Sequence, residues 1–332
     1  MNVPQPTPVP GPPKFIPALV SGFNLVASKV YLLALPIALD LFLWFGPHFR
    51  LKTLLYPTIQ EIFSNQPNAG TDATAMFATM TQLWGMILDH FNLLTLLSAL
   101  PVGVPSLMAG ILPNQNPLGL PPAFEIASWN QALSGWLLFA ILGLVLGCFY
   151  FSLVSRATAH TAEPFSFAHA VWEVMQVFGM TLMLLALMFV FSIPIMIISV
   201  VLGMINPGIA QVAVLVCSFL LLWVLLPLVF TPHGIYVNHQ NAFRSMLISG
   251  SLVRSMFPGV ALFLLSAIIL AQGLGYLWRL PPENSWFMLA GIFGNAFIGT
   301  GLLAASFIYY RSAAAWTARL RKESILNSRV KL

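Results

Sequence analysis

The sequence predicts an all-α integral membrane protein. The expected form is a six-transmembrane-helix bundle of three helical hairpins, each preceded by a cytoplasmic amphipathic segment, with further amphipathic helices in the first external loop. Three observations carry this expectation. Of 332 residues, 58% are hydrophobic and only 7% charged, with a mean hydropathy of +0.87, whereas soluble domains run at about 25% charged. Six segments are apolar over the roughly 20 residues that a helix needs to cross the hydrocarbon core. Lys and Arg gather at the ends of those segments, mostly on one side. A chain so short of polar surface is neither a soluble enzyme nor a nucleic-acid binder, and topology accounts for its net charge of +5.

In chain order, residues 1–14 (MNVPQPTPVPGPPK) are proline-rich, with no basic start and no small-residue cleavage site. They read as a short cytoplasmic tail rather than a signal peptide. A single membrane domain over 15–310 follows, with spans at about 25–45, 132–153, 177–201, 209–230, 257–277 and 286–309. Five of these contain no Asp, Glu, Lys or Arg, and the first carries Lys29 and Asp40. Peptide groups in a bilayer must bond within their own segment, so runs of this length are helices. With both termini on one side, that side holds Lys14, Lys29, Arg156, Arg244, Arg254, Arg311 and five cations of the tail, and the other holds Arg50, Lys52 and Arg279. The bias puts both termini in the cytoplasm. Residues 311–332 form a basic cytoplasmic tail.

Each odd-numbered span has an amphipathic approach: FIPALVSGFNLVASK from Phe15, FAHAVWEVMQVFGMT from Phe167 and FRSMLISGSLVRSM from Phe243. Phe15 aligns with Phe167, the run Leu32–Leu35 with Leu184–Leu187, and Ser21-Gly22 with Ser249-Gly250. The three hairpins share one orientation, a parallel rather than an inverted repeat. The external insert 46–131 contains apolar residues at helical spacing in Leu51–Phe63 and again in Met76–Phe91. After these come six prolines between Pro101 and Pro122, which read as an irregular loop or a re-entrant hairpin.

The approach FRSMLISGSLVRSM leading into a span, with a last span ending FIYYR (Phe307–Arg311), resembles a group of bacterial six-span membrane domains. It includes those found beside glycerophosphodiester phosphodiesterases. The resemblance covers Phe165–Arg311 best, and the long first external loop departs from it. It implies a six-span fold and a bacterial cytoplasmic membrane. It carries over no catalytic residue, because catalysis in those phosphodiesterases belongs to a separate soluble domain.

Candidate polar sites are few. Asp40 is the one carboxylate inside a span, a functional candidate by default, close enough to the external end to reach the headgroups or to pair with Arg50. Glu173 and Gln176 lie one turn apart where the third span begins, and Asn295 lies within the sixth. These four form the candidate intramembrane polar site, as interhelical hydrogen bonds or as a path for a polar solute. Gly143 with Gly147 and Ala290 with Gly294 are small-xxx-small pairs expected to pack helices closely, within the bundle or between protomers. Asp89-His90 resembles a general-base pair only in composition, and His160, His169, His233 and His239 read as ordinary loop histidines. Cys148 and Cys217 sit in apolar runs. No metal cluster, nucleotide loop or nucleophile elbow is present, so no cofactor or metal is expected. Two expectations follow. One is a non-catalytic accessory, scaffold or permease-like subunit, whose partners are the lipid bilayer and a membrane protein or a second copy of itself. The other is a conduit for a lipid or other amphipathic solute. An integral-membrane enzyme is the least supported, and no nucleic-acid partner is expected.

Overall fold

The computed structural model describes residues 12–64, 71–98, 101–159 and 166–330. Its elements are α1 (Phe15–Ser28), α2 (Ala34–Phe45), β1 (His48–Arg50), α3 (Lys52–Ser64), α4 (Thr71–His90), α5 (Met108–Ile111), β2 (Ala123–Glu125), α6 (Trp129–Ala157), α7 (Phe167–Ile205), α8 (Pro207–Leu225), α9 (Thr231–Asn238), α10 (Ala242–Ser255), α11 (Phe257–Trp278) and α12 (Met288–Val330). Five helices are long and apolar enough to cross a bilayer, or six if the bent pair at the N-terminus counts as one span. This is a predominantly helical, multi-pass membrane architecture. Of the proline-rich tail only residues 12–14 are described, and His160 lies outside the described residues.

The first span departs from a single straight helix. Residues 15–28 and 30–45 meet at 94°, with Lys29 out of helical geometry (φ −124°, ψ 61°) and a 3-10 turn over Val30–Leu33. Pro36 accounts for where the second of these helices begins. Proline is tolerated in the first turn of a helix, but deeper inside it its ring clashes with the carbonyl four residues back. The helix carrying Pro36 therefore starts at Ala34. Pro258 sets the same boundary between α10 and α11, where Met256 breaks the helix. The second approach has no such proline and runs unbroken into its span, making α7 39 residues long. The basic tail likewise does not separate from the last span, because α12 continues as one helix to Val330.

The contacts group the chain into two compact units. One comprises residues 26–154 and 269–301. In it α3 and α4 pair beside a small parallel sheet. Helices α3 and α4 are joined by stacked Phe63 and Phe77, and by an ion pair from Lys52 Nζ to Asp89 at 2.7 Å. Strand β1 pairs in parallel with β2, His48 opposite Ala123 and Arg50 opposite Glu125, the one departure from purely helical structure among the described residues. Asn92 Oδ1 accepts from the backbone N–H groups of Phe49 and Leu94, tying the sheet to the segment that follows α4. Leu93, Ile126 and Ala132 form a small core there with Phe49, Leu54 and Phe139 around it. Farther along, Glu283 accepts from Asn114 N–H through its side chain and from Trp44 Nε1 through its carbonyl.

The other unit comprises the start of the chain to residue 25, residues 155–268 and residues from 302 onward. Helices α9 and α10 carry much of its buried core. Ser245 donates to Thr231 O and Ser249 to Pro227 O, satisfying carbonyls left free where α8 gives way to a 3-10 turn. His233 is not a loop residue. It is buried on α9 against the rings of Phe230, Phe307 and Tyr310, with Nε2 2.7 Å from Ser306 Oγ. Helices α7 and α8 form a hairpin beyond this core. None of the apolar stretch of either is buried within the chain, against 39% for α6 and 44% for α12.

Candidate functional site

The segment between α4 and α6 contains the most unusual backbone in the molecule. Leu93–Ser98 is a 3-10 turn, Pro101–Ser106 is irregular, and α5 is a single turn. Val102, Val104, Leu107 and Met108 are nevertheless fully buried. Glycines on the neighbouring spans explain how bare backbone fits there. Leu93 Cδ2 lies against Gly135, the Leu96 carbonyl against Gly143, and the Val102 carbonyl against Gly147, so a Cβ at 143 or 147 would overlap a carbonyl. The chain thus meets α6 at Leu93, Leu96 and Val102, against 12 residues of that helix from Gly135 to Gly147, about 18 Å at 1.5 Å per residue. It returns beside α12, where Pro105 packs on Gly299 and Leu107 on Gly291. A hydrogen bond of 2.7 Å from Tyr150 to Thr300 holds α6 and α12 at matching height.

Asp40 fastens the turn between these limbs. Its carboxylate accepts from Ser106 Oγ, from Leu107 N at 2.9 Å and from Met108 N at 3.0 Å, and it is fully buried. The first N–H groups of a helix have no partner within it, and in an apolar interior each unmet group is costly. One carboxylate meets two of them, and Ser106 Oγ accepts the N–H of Ala109. The expected pairing of Asp40 with Arg50 does not occur, because these donors occupy its oxygens. Arg50 instead donates to Asn114 Oδ1 at 3.3 Å.

The other predicted residues take separate places. Asn295 is half-buried on α12, four residues from both Gly291 and Gly299 and so on the stripe that meets the returning limb. Glu173 is buried on α7, and Gln176 Oε1 accepts from Ala242 N at 2.9 Å, joining α7 to the start of α10. Asp40 and Asn295 belong to one unit, Glu173 and Gln176 to the other, and the hydrogen bonds of Asp40 and Gln176 close within their own units. Of the small-residue pairs, Gly143 and Gly147 are covered by the irregular segment. Gly294 meets the ring of Trp278, whose carbonyl lies against Gly291. Ala290 is exposed; Gly291 fills the role expected of it. Asp89 is engaged by Lys52, and His90 Nδ1 lies 2.9 Å from Met86 O, which separates the two as a catalytic pair. No group of three or more His, Cys, Asp or Glu among the described residues is arranged to hold a metal.

No family model, curated protein or solved structure matches this chain. Sequence reasoning missed Ser106, Gly291, Gly299 and Trp278. The available signal was Gly291, Asn295 and Gly299 at four-residue spacing, a stripe able to admit backbone.

Proposed function

We propose that this chain is a non-catalytic, permease-like accessory subunit of a membrane assembly, and that the α7–α8 hairpin is the surface the assembly covers. The observation that carries this reading is that the most apolar stretch of each helix of that hairpin is unburied within the chain. Lipid could cover such a surface, but α8 also carries Gln211 and Ser218, both exposed and seven positions apart on one face, with Leu215 and Leu222 between and beyond them. Neither side chain is hydrogen-bonded to a described residue. An amide facing hydrocarbon is unfavourable, and polar side chains on spans are satisfied by hydrogen bonds across helices worth about 1 kcal/mol each. The glycine faces of α6 at Gly143 and Gly147 and of α12 at Gly291, Gly294 and Gly299 are already occupied within the chain, which leaves the polar face of α8 for a partner. Six spans in a bacterial cytoplasmic membrane, with both termini in the cytoplasm, complete the reading. The Lys and Arg bias and the resemblance to six-span bacterial domains support it.

Mild-detergent extraction of the full chain followed by native mass measurement tests this. An assembly of stoichiometric partners is expected, weakened by about fivefold in Gln211→Leu, the factor that roughly 1 kcal/mol gives. Recovery as a single chain by both proteins, in native lipid as well as detergent, would exclude the reading.

A second reading, a conduit for an amphipathic solute, is favoured by the irregular segment seated between α6 and α12. Non-helical backbone at span depth occurs only where protein buries it or where it lines a polar cavity. Here Asn295 stands beside it. In reconstituted vesicles, flux that changes in Asn295→Leu with unfolding unaltered would support the conduit, and no flux in either protein would exclude it.

A further inference from the structure

In the unit that includes the start of α1, that helix start, the α10–α11 junction and α12 line a half-open cavity of about 580 Å³. The size falls within the roughly 300–1,000 Å³ of small-ligand pockets. Its wall is almost wholly hydrocarbon, formed by Phe15, Met256, Pro258 and Trp316 among others, with Lys14 as its one charged residue. The geometry points to a binding site for an anionic phospholipid, with an acyl chain in the cavity and the phosphate at Lys14.

Each part of the site matches part of such a molecule. The apolar wall excludes sugars and nucleotides, which would leave many polar groups unmet. Lys14 is exposed and makes no ion pair with a described residue. Helices α1 and α11 both begin at this cavity, neither has an acidic residue in its first turn, and the positive ends of their dipoles favour an anion. Behind Gly259, another wall residue, stands the hydroxyl of Tyr309, 2.9 Å from where a Cβ would be. That hydroxyl is buried and has no hydrogen-bond partner among the described residues. A buried donor without an acceptor beside a cavity wall is what the ester oxygens of a seated lipid would satisfy. Trp316 suits the same interface, since its ring is at home where acyl chains meet headgroups. This site does not depend on the role given to α7 and α8.

The test uses the full chain in nanodiscs of phosphatidylcholine, doped with phosphatidylglycerol or phosphatidylcholine carrying brominated acyl chains. The fluorescence lost in Trp316→Phe defines the Trp316 signal, and its quenching reports chains in the cavity. Half-quenching is expected at about fivefold less brominated phosphatidylglycerol than brominated phosphatidylcholine, the preference that one cation near a headgroup gives. Lys14→Gln should abolish the preference, and Ser255→Phe, which fills the cavity from an exposed wall position, should abolish quenching by both lipids. Equal quenching by the two lipids, a preference that survives Lys14→Gln, or quenching untouched by Ser255→Phe would each overturn the site. So would loss of the signal on adding inorganic phosphate, which would assign Lys14 to a free anion.

Discussion

Asp40 holds irregular backbone in place with a single side chain, and its substitution reads out that role directly. Replacing the carboxylate by an amide in Asp40→Asn removes a charged acceptor and turns an N–H₂ toward existing donors. Hydrogen bonds to charged groups are worth about 1.5–3 kcal/mol, so unfolding in detergent should show a loss of that size, and a larger one in Asp40→Leu. Gly147→Ala should also destabilise, because its Cβ would meet the Val102 carbonyl and core overpacking costs roughly 1–3 kcal/mol. His48 gives a pH signature. Burial holds it below the usual histidine value of 6.5; the backbone hydrogen bond to Leu43 opposes this and the Arg50 charge adds to it. The unfolded chain then takes up the proton more readily than the folded one. The stability this residue contributes is complete above pH 6.5 and falls as the pH drops below it. His48→Phe should flatten that slope in unfolding curves taken between about pH 7 and 5.

At the scale of elements, the spans were legible and their interruptions less so. Long runs without charge specify helices because lipid offers the backbone no other partner, and α6, α7, α8, α11 and α12 lie where those runs lie. Pro36 and Pro258 also mark the breaks after the first and third approaches, a signal that hydropathy averages away. The small-residue pattern showed that α12 packs closely but named Ala290 in place of Gly291, because a four-residue spacing does not say which neighbour will press against which face. Asp40 was legible as unusual, while its partners were not, since Ser106 and the Leu107 and Met108 amides reach it only once the intervening insert has folded back. The irregular segment should therefore behave as core despite its lack of regular structure. In hydrogen exchange, the amides of Leu107 and Met108 should exchange as slowly as those of α6 at Tyr150, and Asp40→Asn should release them selectively.

For the whole molecule, the charge bias makes a statement about sidedness that labelling can check. Single cysteines introduced as Asn2→Cys and Ser328→Cys should react with an impermeant maleimide from one face of sealed vesicles, and Glu61→Cys from the other. Cys148 is buried and Cys217 half-buried, so replacing both by Ala gives a clean background. The seating of Leu96, Val102, Pro105 and Leu107 against α6 and α12 has a further consequence for biogenesis. Its first wall emerges from the ribosome soon after the segment itself, but the second is encoded far downstream. At ordinary elongation rates of about 5–20 residues per second, the nascent polypeptide waits on the order of ten seconds or longer for that wall. Throughout that interval the Asp40 clasp can already form, since both its halves have been synthesised, so the Leu107 and Met108 amides have an acceptor at hand long before translation finishes.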